Sequence, residues 1–188
     1  MKKILLAALT CAMVSLTGCD KLKDAVSRDI KVNNVKFEFA ATTNDDAVET
    51  LSAVTTRAAT LRTFSVTRTV DISEMGNSEI MEYASKIKNV EVNSSQLTVT
   101  ASPAGNFTVS NVLVKAVGVA GEMSVPSYTL GNAFPTPDGM DSFIGAFISK
   151  LLTAKTVSVT VSGQTDAPAG TTINVSFESN LILTASLL

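Results

Sequence analysis

From Phe64 to Ile72 the chain alternates: Phe64, Val66, Val70 and Ile72 share one side, and Ser65, Thr67, Thr69 and Asp71 share the other. Period-2 alternation in β-branched and aromatic residues fits a strand with one buried face, whereas a helix would scatter the same residues around its axis. Arg68 interrupts the apolar side, and an edge position with its stem lying along the sheet accounts for it. The signature recurs from Val32 to Ala40, Val90 to Ala101, Phe107 to Val119, Thr156 to Gln164 and Thr171 to Ser186. The chain is therefore predicted to be mainly β, an antiparallel β-sandwich. Pro103-Ala104-Gly105 and Ala167-Pro168-Ala169-Gly170 carry turn chemistry between β runs, and each reads as a hairpin.

Two segments change to a helical period, so the fold class is mainly β with two amphipathic helices. In the first, Asn77 is a cap, Glu79 and Glu82 come early, Lys86 and Lys88 come late, and Ile80, Tyr83, Ala84 and Ile87 form one apolar face. Glu82 and Lys86 have the spacing of a helical ion pair. In the second, spanning 137–152, Thr136-Pro137-Asp138 supplies a cap and a first-turn proline. A wide stripe follows: Met140, Phe143, Ile144, Phe147, Ile148, Leu151 and Leu152. Each helix leads into a strand and a Pro-Ala-Gly turn, which makes an internally duplicated helix-strand-turn-strand unit one reading of the order. Between Ala41 and Thr63 a short helix, a weak edge strand and a loop all fit; Met123 to Phe134 is irregular around a strand at Ser127 to Leu130.

At the start, Met1 to Lys3 is a short basic region, and Ile4 to Leu16 is an apolar stretch shorter than a bilayer needs. This is the pattern of a signal peptide, and it ends in Leu16-Thr17-Gly18-Cys19. Those four residues resemble the lipobox of bacterial lipoproteins, which implies cleavage before Cys19 and acylation of that cysteine. The expected organisation is a signal peptide at 1–18, the acylated cysteine and a tether at 19–31, and a single β-rich domain at 32–188. Acyl chains contribute roughly 0.8 kcal/mol per buried methylene, so a multiply acylated cysteine holds a protein permanently. Cys11 lies within the removed segment and leaves Cys19 no disulfide partner. Without Lys2 and Lys3, 13 basic residues face 17 acidic ones, a formal charge of −4. No basic block offers nucleic acid a footprint.

The chain contains no histidine and no tryptophan. Histidine-dependent nucleophilic mechanisms and the commonest zinc sites are thereby excluded. Two carboxylates would suffice for a glycosidase, yet the acidic residues sit singly on outward faces or helix starts. Asp45-Asp46, and Asp138 with Asp141, could hold calcium, but neither pair has the spacing of a calcium loop. The expectation is a chain that is no enzyme and takes no cofactor or metal. Outward strand positions such as Thr98, Thr100, Ser158, Thr160 and Ser162 are rich in hydroxyls, as on any exported sheet.

With the lipobox, a tether of mixed charge, and Tyr83 to Lys88 leading into Val90-Glu91-Val92-Asn93, the chain resembles small lipoproteins of uncharacterised function from the envelope of Gram-negative bacteria, Bacteroidetes in particular. The resemblance implies an envelope location and assigns no activity; only Cys19 carries over as a functional residue. Asp20 after the acceptor implies inner-membrane retention by likeness to enteric lipoproteins, while Asp20 to Asp24 equally fits a surface-export signal in Bacteroidetes. The outer membrane, on its periplasmic or surface face, is the expected site. The expected partners are the membrane, through Cys19, and another envelope protein. The function expected is a non-catalytic binding or structural module. The alternative is a carrier of a lipid or other apolar ligand, with Met140, Phe143, Ile144, Phe147, Ile148 and Leu151 facing the ligand.

Overall fold

Strand β1 (Ser27–Val48) has two sets of neighbours, and this shapes the molecule. Its first part pairs antiparallel with β8 (Thr172–Ser186), from Ser27 opposite Ser186 to Thr42 opposite Thr172. Its last part pairs with β2 (Leu61–Asp71), from Thr43 opposite Phe64 to Val48 opposite Leu61. The computed structural model, which describes residues 27–48, 60–132 and 136–187, joins these strands into one antiparallel sheet. The remaining strands are β3 (Ile87–Ser102), β4 (Thr108–Ala116), β5 (Met123–Val125), β6 (Tyr128–Thr129) and β7 (Thr156–Thr165). The order is β3-β8-β1-β2-β7-β4-β5, with β6 also on β4.

The fold is mainly β with two helices, as the alternation requires, and the sheet curls into a half-barrel. The two facing layers expected of a sandwich are thus supplied by the two arms of a single sheet, β3-β8-β1 and β2-β7-β4, meeting at β1. Residues 27–31, assigned to the tether from sequence, are paired strand, and Ile30 is buried. Beyond Phe64, β2 leaves β1, and Arg68 spans the gap. Its guanidinium donates to the Glu38 carbonyl at 2.8 Å, pairs with the Glu74 carboxylate and lies 5.8 Å from the Phe39 ring centre. Arg68 is therefore a cross-arm clasp, not a side chain on a solvent edge.

The two Pro/Gly turns are not hairpins. β3 runs beside β8, and β4 runs beside β7, so each turn carries the chain from one arm to the other. The turns lie together, with Thr108 N–H donating to Asp166 Oδ1 at 2.7 Å. Buried Thr43 locks the same corner: its hydroxyl donates to the Pro168 carbonyl at 2.7 Å and accepts from Thr171 N–H at 3.0 Å. The helix-strand-turn-strand order does occur twice, but the strands of one unit pair with those of the other.

Helix α1 (Ser78–Tyr83) is capped by Asn77, whose Oδ1 accepts from Glu79 N–H at 2.8 Å, and buries Ile80. It tightens into a 3-10 turn at Ala84–Lys86, which breaks the i,i+4 geometry that Glu82 and Lys86 would need for an ion pair. Ile87 already belongs to β3. Helix α2 (Met140–Ala154) starts later than expected, since a turn closed by Met140 N–H on the Pro137 carbonyl precedes it. Gly139, at φ 72°, stands at the cap and accepts from Phe143 N–H at 2.9 Å; a β-carbon would be strained there. Thr136 and Pro137 thus lie outside the helix.

Asp45 lies in β1, not in a loop, and the side chain of Asp46 is outside the described residues, as are Cys19 and the segment 1–26. The strand expected at 127–130 is β6, and Ala41 to Val48 continues β1.

Candidate functional site

Two regions could carry function, the interior face of α2 and its outer face. On the interior, Met140, Ile144, Phe147, Ile148 and Leu151 are buried, and Phe143 is half-buried. They lie between the arms, with Phe147 edge-on to Phe37 at a centroid distance of 5.3 Å. Phe37 of β1, Val114 of β4 and Val159 of β7 surround a void of about 20 Å³ beside Ile144 and Phe147. A void of that size holds about one water molecule and no acyl chain. The stripe read from sequence as ligand-facing is packed against protein in this structure.

The outer face is different. Between α2 and the first half of β3 runs a groove of about 830 Å³. The helix contributes Ser142, Gly145, Ala146 and Ser149, and the strand contributes Val90 and Val92. A β-carbon on Gly145 would sit 3.6 Å from Val92 Cγ2, so a side chain no larger than alanine's would close the space between helix and strand there. Further along, the Ser95 hydroxyl bonds to the Asp141 carboxylate and fixes the start of α2 to β3. At the other end the helix closes on Lys155, at φ 68°, whose N–H donates to the Leu151 carbonyl at 2.8 Å and whose ammonium donates to the Leu152 carbonyl at 3.1 Å.

Among the described residues, most ion pairs stand singly. Arg28 pairs with Glu79 at 2.9 Å, and Lys115 with Glu122 at 2.8 Å. Lys36 pairs with Glu38; hydrogen bonding to each other holds the lysine above its ordinary value and the carboxylate below its own. Asp71 is held low by its bonds to Ser73 at a 3-10 turn. Asp141 bonds Ser95, and no third carboxylate joins it or Asp138; among the described residues no group of three or more His, Cys, Asp or Glu could share a metal. No described helix is long and apolar enough to cross a membrane.

Sequence reasoning singled out the α2 stripe and missed the groove. The groove's middle is built of small and aliphatic residues, its charged residues Lys88, Asp141 and Lys155 lie far apart in the sequence, and the trace it leaves there is the run of small residues on the polar face of α2. The fold and groove define a curled antiparallel sheet with one open edge beside a helix. No family model, no curated protein and no solved structure matches the chain.

Proposed function

We propose that this chain is an envelope lipoprotein, processed before Cys19, acylated there and held on the outer membrane, whose β-rich domain is a non-catalytic module that binds another envelope protein. The observation that carries the binding reading is the makeup of the groove. Between charged ends at Lys88, Lys155 and Asp141, its walls are mostly hydroxyl, glycine and aliphatic side chains beside an edge strand bonded on one side only, which suits contact with another chain. The anchoring reading is supported by the basic and apolar start that ends in Leu16-Thr17-Gly18-Cys19. Seven residues, 20–26, separate Cys19 from Ser27, and that stretch spans at most about 28 Å when extended, so an acylated Cys19 would keep the domain against the membrane.

The test of the anchor is Cys19→Ser in a cell that processes lipoproteins, read by labelled palmitate and by membrane fractionation. The wild-type chain is expected to take up label and sediment with outer membrane. Cys19→Ser is expected to take up none and to keep its first 18 residues. Label and processing unchanged in Cys19→Ser would overturn the reading.

A further inference from the structure

Resting on the binding-module reading above, we infer that the groove between β3 and α2 takes an extended segment of a partner protein, added antiparallel to β3 as a further strand, with small apolar side chains at alternate positions and an acidic residue toward its C-terminal end. Among the described strands β3 is bonded to β8 alone. Half of its N–H and C=O groups therefore point away from the sheet, and the ligand that satisfies such a row is another strand.

The site has a defined length. Register shifts at Ile87/Asn89 and Val92/Ser94 bracket a regular stretch from Asn89 to Val92, so a partner pairs over a few residues and is stopped at both ends. Such brackets oppose unlimited edge-to-edge association, which a long flat edge would invite.

The walls give the chemistry. Half-buried Val90 and Val92 form an apolar floor, and exposed Ala146 and Ser149 form a wall with Gly145 between them. Every second side chain of an added strand would enter between floor and wall, where the space that the bare Gly145 leaves beside Val92 suits small ones. The ends give the polarity. Lys88 and Lys155 stand where β3 begins and α2 ends, and Asp141 stands at the opposite end. A strand antiparallel to β3, as every described pairing in this sheet is, would finish beside the two lysines, where an acidic residue is complementary.

The test uses the full-length chain in detergent and a fluorescein-labelled synthetic nonapeptide of alternating Val and Ser ending in Glu, followed by fluorescence anisotropy. The peptide is expected to bind, and the version ending in Lys to bind about fivefold more weakly. Ser149→Trp, which fills the groove from an exposed position, is expected to abolish binding and leave the urea midpoint unchanged. No binding, or equal binding to wild type and Ser149→Trp, would overturn the inference. A photo-crosslinking amino acid placed in cells at Ser149, or at the exposed Thr67 on β2, separates the two readings. Capture from Ser149 of a different protein through an extended small-residue segment is expected. Capture only from Thr67, or from Ser149 only of a second copy of this chain, would overturn the groove and keep a binding module. Capture from neither would remove both.

Discussion

Single residues show where the sequence speaks and where it is silent. Asn77 announces its role as a cap because a short acceptor ahead of a helical period has one obvious task. Arg68 does not, since whether an arginine on an apolar face meets solvent or a carbonyl from another strand depends on which strand lies opposite. Gly139 is a third kind: its left-handed conformation moved the start of α2 beyond the proline that the sequence favours. Tyr128 offers a clean measurement at this scale. Its hydroxyl donates to the Val99 carbonyl at 3.3 Å, and burial pushes it up to about 12 from an ordinary value of 10.0. The folded chain thus keeps this proton where the unfolded chain has lost it. Its contribution to stability is complete below about 10 and declines as pH rises from 10 toward 12. The chain has no tryptophan, so tyrosinate absorbance in a Tyr83→Phe background reports Tyr128 alone. A midpoint near 12 is expected, and one near 10 would mean that the ring is wet.

At the scale of elements, strand positions were legible and strand partners were not. Alternation records which face of a strand is buried, and it does so at every strand longer than a few residues. It says nothing about neighbours, and a Pro-Ala-Gly turn serves equally to close a hairpin or to pass between arms. The short β5 and β6, of three and two residues, leave too few positions for a period to register. Helix α2 was legible as a helix with one apolar face, but not that the face would be spent on both arms and the groove left on the other side. This division of labour is testable. Phe147→Ala removes the ring that meets Phe37 and is expected to destabilise by about 3–5 kcal/mol in urea denaturation. A cost below about 1 kcal/mol would show that the stripe is not part of the core.

At the scale of the molecule, the sequence pointed to two layers, and the chain builds both from one sheet. The continuity of β1 is what separates these outcomes, and it could not be read because residues 41–48 carry too few large apolar side chains to extend the alternation of 32–40. The arms are joined by covalent strand at one end and by the contacts of Arg68 farther along. Arg68→Met keeps the stem and removes the clasp, and should lower stability by about 1–2 kcal/mol, measured as a drop in the urea midpoint with an unchanged slope. A reduced slope would instead mean that the arms part before the rest unfolds. The pairing of Ser27 with Ser186 adds a constraint in time. The first described strand has its main partner in the last described one, so a chain still lacking β8 cannot complete its sheet. Under the export proposed above, that ordering would delay folding until both strands had crossed.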